Sequence, residues 1–259
     1  MKRVDKSPVV PARLHQFALA FPLEKWERFR RHSRRGYREV KKQILLDQRG
    51  LCAYCEIPIK LTDNDYDIDD FRVEHFYPKS ATSEEGANWH LDWFNMLGVC
   101  HGGSQKEVVD ASWRYSARHI DRSCDVPKGG KDLSEIILNP LQIPAEVRLF
   151  RYDPYNGRIL VDPLTCPEAL QVKAEQTIKE LNLNAPRLSR MRLTVLQALQ
   201  DKIALDLEQG LELEASLTAL AQMLLVPDHN GFYQAFFTVV RWYLGEVAEK
   251  FLAQKDYKI

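Results

Sequence analysis

Apolar residues recur at helical spacing near the start of the chain and again over its last third, while short alternating runs fill the middle. From Leu23 the pattern is helical, with Trp26, Phe29 and Arg30 at i, i+3 and i+4 just after Pro22. A second helix is predicted from Tyr37 to Gln48, with Val40, Ile44 and Leu45 on its apolar face and Gly50 as its stop. Ahead of both, Ser7 to Pro22 carries three prolines and is expected to be extended. In the last third, Pro167 opens a helix through Ile178 and Leu181. Pro186 opens another, carrying Leu188, Met191, Val195, Leu196, Leu199 and Ile203 and ending at Gly210. Glu212 to Leu225 is a third, stopped by Pro227, and Gly231 to Ala253 a fourth. The aromatics Phe232, Tyr233, Phe236, Phe237, Trp242 and Tyr243 belong to a helix-bundle core on this reading.

Strand and loop signals replace helical ones between Cys52 and Lys128. Phe71 to Phe76 reads as a short strand. Thr62 to Asp70, with Asp63, Asp65, Asp67, Asp69 and Asp70, reads as an acidic surface loop without the Gly and closing Glu of a calcium loop. Val147 to Tyr152 and Arg158 to Val161 flank Asp153-Pro154-Tyr155-Asn156-Gly157, which predicts a β-hairpin. The class is α+β in four parts: a basic helical arm (1–50), a central module (51–140), a hairpin bridge (141–166) and a C-terminal helical domain (167–259).

Composition alters this picture in one respect. The chain is 259 residues with 36 basic and 36 acidic side chains, but residues 1–49 hold 14 Lys/Arg against 5 Asp/Glu. Arg28, Arg30, Arg31, Arg34, Arg35 and Arg38 crowd around Gly36, more than solubility requires. A clamp for a phosphate backbone is expected, with Arg31, Arg34 and Arg35 as contacts. The acidic remainder would suit a protein partner. No apolar run approaches the ~20 residues needed to cross a bilayer, and cytoplasmic residence is expected.

Five cysteines are present, four of them in the central stretch. Cys52-Ala53-Tyr54-Cys55 puts two thiols on one tight turn, a spacing shared by metal sites and redox pairs. Cys100 and Cys124 complete four ligands for a structural zinc, with His119 as the substitute for one of them; Cys166, beside Pro167, is expected only to pack. Inside this staple lie Glu74-His75 and Asn95, and Asp125 follows its last cysteine. An imidazole near neutral pKa suits a general base that activates water. A neighbouring carboxylate with a second hard oxygen ligand suits one Mg²⁺ held against a phosphate.

The ordered set Leu51-Cys52-Ala53-Tyr54-Cys55-Glu56, Val73-Glu74-His75-Phe76-Tyr77-Pro78-Lys79-Ser80, Trp93-Phe94-Asn95 and Cys124-Asp125-Val126-Pro127-Lys128-Gly129 resembles the HNH (ββα-metal) endonucleases. More narrowly it is similar to the retron- and Septu-associated PtuB-like family, and the likeness extends to Trp26, Tyr37, Asn139-Pro140 and Leu181-Asn182-Leu183-Asn184. The resemblance implies a ββα-metal core within 51–140. It makes His75 the general base, Glu74 and Asp125 ligands of Mg²⁺ or Mn²⁺, and Asn95 the residue that ties down the loop and orients the base. His90 and His101 are alternates to Asp125, which stands where the family has His or Asn, and Gly129-Gly130 would weaken the helix expected there. Lys79 and Lys128 join the arginines as nucleic-acid contacts.

The resemblance also implies an ABC/SMC-like ATPase partner of the PtuA type, within a retron complex or without one, in anti-phage defence. No Walker motif occurs in this sequence, so nucleotide hydrolysis would be the partner's. DNA is the expected substrate. RNA, such as a tRNA, would suit the same chemistry, because a metal and a base need no 2′-OH; a non-catalytic zinc-stapled adaptor is the reading from another class. If the arm is a clamp, neutralising Arg31, Arg34 and Arg35 together weakens nucleic-acid binding most at low salt, which a salt titration of affinity measures.

Overall fold

A computed structural model describes residues 1–62, 68–80, 88–108 and 110–258; Asp63, Asp65 and Asp67 of the acidic run lie outside the described residues. The basic arm is three helices, α1 (Ala12–Ala20), α2 (Trp26–His32) and α3 (Arg34–Asp47). The first corrects the expectation of an extended Ser7–Pro22. Its prolines bracket a helix rather than interrupt it: Pro11 stands at the cap of α1, Pro22 lies just past its end, and Leu14 and Phe17 are buried three residues apart. Ser33 separates α2 from α3, and its hydroxyl accepts from the Gly36 amide at 3.0 Å.

The central module is built on one hairpin. Strand β1 (Phe71–His75) pairs antiparallel with β2 (Met96–Cys100), Phe71 opposite Cys100 and His75 opposite Met96. Two single-turn helices follow, α4 (Ala111–Arg114) and α5 (Asp125–Lys128), the latter ending at Gly129 with φ +55°. The predicted hairpin is β3 (Phe150–Tyr152) against β4 (Ile159–Val161). The last third carries α6 (Glu168–Glu180), α7 (Pro186–Glu208), α8 (Leu213–Leu224) and α9 (Phe237–Ala253). No described helix is long and apolar enough to cross a membrane.

Helix α9 starts later than Gly231 because the residues before it bond sideways. Tyr233 N donates to Arg49 O at 2.9 Å and Phe236 N to Glu56 O at 3.0 Å, so this stretch is spent joining the arm and the Cys52–Cys55 turn. The acidic run is likewise not all surface. Asp69 holds the buried Lys41, and Asp70, itself buried, pairs with Arg114 at 3.0 Å. Both basic partners are more than twenty residues away in sequence, beyond the reach of local pattern.

One apolar core draws on the arm, the central module, β3–β4 and helices α6, α7 and α9, from Leu14 and Phe29 through Tyr54, Phe71, Met96 and Leu138 to Leu188 and Val239. A smaller one lies among α7, α8 and α9, around Leu199, Leu220, Val240 and Leu252. The buried Gln48 locks arm to module. Its Nε2 donates to Leu51 O at 2.7 Å and Gly98 O at 2.8 Å, while Gly98 N donates to its Oε1 at 2.6 Å. Gly98 has to be glycine, since a Cβ there would sit 2.6 Å from Ile44 Cγ2. Replacing Gln48→Leu strands the Gly98 amide and the Leu51 carbonyl, while Gly98 O keeps the Ala53 amide as donor. The variant is expected to lose roughly 2–4 kcal/mol in chemical denaturation.

Candidate active site

The Cys52–Cys55 turn docks on β2 through Ala53 N, which donates to Gly98 O at 3.0 Å. That places Cys52 and Cys55 beside Cys100, the last residue of β2, and residues 101–123 loop away before Cys124 returns to the same point. All four thiols are buried, with their sulfurs within 4.8 Å of one another. Recorded separations are 3.6 Å for Cys55–Cys100 and Cys100–Cys124, and 3.9 Å for Cys52–Cys124. A tetrahedron with metal–sulfur bonds of ~2.3 Å has edges of about 3.8 Å, close to these three separations, so the quartet has the spacing of a zinc site. Backbone amides already face the sulfurs, Cys100 N toward Cys52 Sγ at 3.3 Å and Gly102 N toward Cys100 Sγ at 3.4 Å. His119 is exposed, on the turn His119–Asp121 outside this group, and His101 turns its Nε2 to Asp69 O at 2.9 Å. Cys166 is buried in the main core, away from the quartet.

Because side chains alternate along a strand, Arg72 and Glu74 share one face of β1, and α5 lies against them. The Arg72 guanidinium grips Asp125 with two nitrogens, Nη2 to Oδ1 at 2.8 Å and Nε to Oδ2. Lys128 Nζ donates to Glu74 Oε1 at 2.5 Å and to the His75 carbonyl at 3.1 Å. Glu74, His75 and Asp125 line one open cleft together with Lys79 and His90. Burial pushes both carboxyl groups above their usual range. Lys128 opposes that shift at Glu74 and Arg72 at Asp125, while the Asp125 charge pushes Glu74 further up.

His75, on the opposite face, is 5% exposed and meets the Trp26 ring edge-on at 5.4 Å. Its Nε2 lies 3.2 Å from the His90 carbonyl, which can only accept, so Nε2 carries the proton and Nδ1 the free lone pair. Burial lowers its pKa to about 3, below the near-neutral value expected of a general base, so the ring is neutral under ordinary conditions and holds a proton only weakly. Asn95 pins the loop after β1: its Oδ1 accepts from Tyr77 N at 2.7 Å, and its Nδ2 donates to Tyr77 O and Trp89 O at 3.0 Å each.

Of the expected contacts, Arg31, Arg34 and Arg35 are exposed on α2 and α3. Lys79 lies on the cleft wall, paired with Glu27. Lys128 is only 2% exposed and is spent on Glu74. His90 lines the cleft and His101 does not. Arg72 went unremarked in the sequence, although its i, i+2 relation to Glu74 on a predicted strand was the available signal.

The carboxylates of Glu74 and Asp125 thus share a cleft with His75, next to a thiol quartet spaced for a metal ion. No family model matches the sequence. The chain is 33% identical over 216 residues, 74% of its length and 78% of the relative's, to the protein named "Retron Ec83 putative HNH endonuclease" of Escherichia coli. The chain belongs to the HNH endonucleases of retron type.

Cys52→Ser removes one corner of the tetrahedron and is expected to lower bound metal well below one per chain. Apparent melting temperature should fall by on the order of 10 °C or more, since a structural metal contributes folding free energy. Cys166→Ser is the matched control and keeps the metal. Elemental analysis alongside thermal unfolding reads both.

Proposed function

We propose that this cleft hydrolyses phosphodiester bonds of DNA with a divalent cation, Mg²⁺ or Mn²⁺, and that the protein is a PtuB-like nuclease subunit. It would act in the cytoplasm, beside an ABC/SMC-like ATPase of the PtuA type, in anti-phage defence of the retron or Septu kind. The observation that carries the catalytic part is a neutral His75, its Nδ1 without a hydrogen-bond partner among the described residues, lining one cleft with two carboxylates whose charge burial disfavours. Hard oxygen donors in such a setting fit a hard cation. Glu74 Oε2 makes no hydrogen bond among the described residues, and each Asp125 oxygen retains a lone pair beyond its Arg72 bond. When bound, the cation would stabilise charge on the scissile phosphate and the leaving oxygen.

The chain's own residues account for the remaining steps. His75 accepts the proton of the attacking water at Nδ1 while the His90 carbonyl holds its other nitrogen. Asn95 bonds both Tyr77 and Trp89, which fixes the distance from the end of β1 to the residues around His90. Arg72 orients Asp125, and Lys128 neutralises Glu74 until a cation does so. The four thiols hold zinc, which fixes both ends of the catalytic set without touching substrate. Residence beside an ATPase rests on the PtuB-like resemblance and on the acidic balance of residues 50–259.

The test is purification with and without the ATPase, then challenge with plasmid DNA and with total RNA under Mg²⁺ or EDTA. DNA cleavage under Mg²⁺ alone is expected. His75→Ala should lower the rate by at least ~100-fold while zinc content stays at the wild-type level. Cleavage of RNA only would overturn the choice of substrate, and undiminished cutting by His75→Ala would overturn the assigned base.

A further inference from the structure

A second cleft adjoins the catalytic one, the two sharing Arg72, Val73 and Lys79 in their walls. It lies on the His75 face of β1, since Phe71, Val73 and His75 alternate together, and α2 and α3 supply its far side through Trp26, Arg30, Tyr37 and Lys41. Val73 to His75 is a rise of about 6–7 Å along the strand, so the second cleft begins within one nucleotide's reach of the proposed base. Its volume is about 420 Å³, ample for a nucleotide.

The lining is of two kinds. Trp26 and Tyr37 meet edge to face at 5.7 Å, and Tyr37 is only half-buried. The exposed Arg30 holds its guanidinium 4.9 Å from the centre of the Tyr37 ring and pairs with no carboxylate among the described residues. Asp69 is the acidic member of the wall, and its carboxylate is occupied by Lys41 and by the amide and hydroxyl of Thr62. What remains on offer is an aromatic surface, a guanidinium that lies over it with no carboxylate partner among the described residues, and the edge of a basic helical arm. Among the described residues, no carboxylate free to hold a catalytic cation faces it. That is the chemistry of a site that binds a nucleotide and does nothing to it.

We infer that this second cleft takes one unpaired nucleotide flanking the scissile phosphate, its base against Tyr37 and its phosphate on Arg30, with Lys79 at the boundary between the two clefts. The inference rests on the nuclease reading above. It adds that the substrate carries an unstacked base beside the cut, because a base inside a duplex cannot lie on the Tyr37 ring.

The experiment uses the full-length, zinc-loaded protein carrying His75→Ala, with fluorescence anisotropy against three labelled probes: single-stranded DNA, a blunt DNA duplex, and the same duplex with an unpaired two-nucleotide flank. Single-stranded RNA of the same sequence is a fourth arm that separates the sources of the nucleotide. The parent should bind the unpaired probes more tightly than the blunt duplex. Tyr37→Leu should weaken only the unpaired probes, by roughly 5- to 100-fold, with Tyr37→Phe close to the parent. Arg30→Gln should weaken all probes and flatten the dependence of log affinity on log salt by about 0.7 for single strands. Arg30 is exposed, so this variant carries the test should Tyr37→Leu unfold. If the parent binds nucleic acid but prefers no unpaired probe, or Tyr37→Leu and Arg30→Gln both match it, the inference is overturned and the nuclease reading stands. If the parent binds no probe and the wild type cuts nothing, both are overturned.

Discussion

Four thiols drawn to one point from residues 52, 55, 100 and 124 are the constraint on which the rest of the site depends. Cys100 closes β2, so the quartet fixes where that strand ends. The Cys52–Cys55 turn is bonded to Gly98 through Ala53, so the same cluster fixes how β2 lies against the first half of the chain. Pairing then sets β1, and with it Glu74 and His75. Cys124 is the residue before Asp125, so the far end of the quartet sets the other carboxylate. A metal at this point would touch no substrate and yet determine the spacing of every group in the cleft.

The second organising force is electrostatic. Two carboxylates are largely withdrawn from water, and each is met by its own cation, Arg72 for Asp125 and Lys128 for Glu74. Unpaired, such charges would cost several kcal/mol apiece, which is why burial drives both toward their protonated forms. The neutral His75 adds no charge to this balance. Its Nε2 is tied to the His90 carbonyl, so the imidazole and the carboxylates differ in charge state through their surroundings.

Much of the helical architecture could be read from the sequence because its signals are local. Helices α3, α6, α7 and α8 start and stop within a few residues of the Pro and Gly marks that bound their apolar stripes. Elements set by distant partners could not be read that way. Pro8, Pro11 and Pro22 argued against a helix that they in fact frame. Residues 231–236 continue a helical apolar pattern, yet Arg49 and Glu56 take their backbone donors. Asp69 and Asp70 look like loop decoration until Lys41 and Arg114 come into place. In the site, order along the chain pointed to Glu74, His75, Asn95 and Asp125, of which Glu74, His75 and Asp125 line one cleft. Nothing in that order shows that Lys128 bonds Glu74 or that Trp26 and His90 enclose the imidazole.

Cys124 donates its amide to Leu181 O at 2.9 Å, and Glu56, one residue past the Cys52–Cys55 turn, accepts from Thr238. Both bonds tie the two ends of the thiol cluster to residues that leave the ribosome much later than the cysteines. The arm and the first cysteine pair can collapse early, but the cluster lacks its fourth corner until Cys124 emerges, and its flanking supports until α6 and α9 follow. A chain interrupted before these residues therefore carries Glu74, His75 and Asp125 without the bonds from Leu181 and Thr238 that support the thiol cluster. Order of synthesis thus delays the fully supported cleft until both partners have been made.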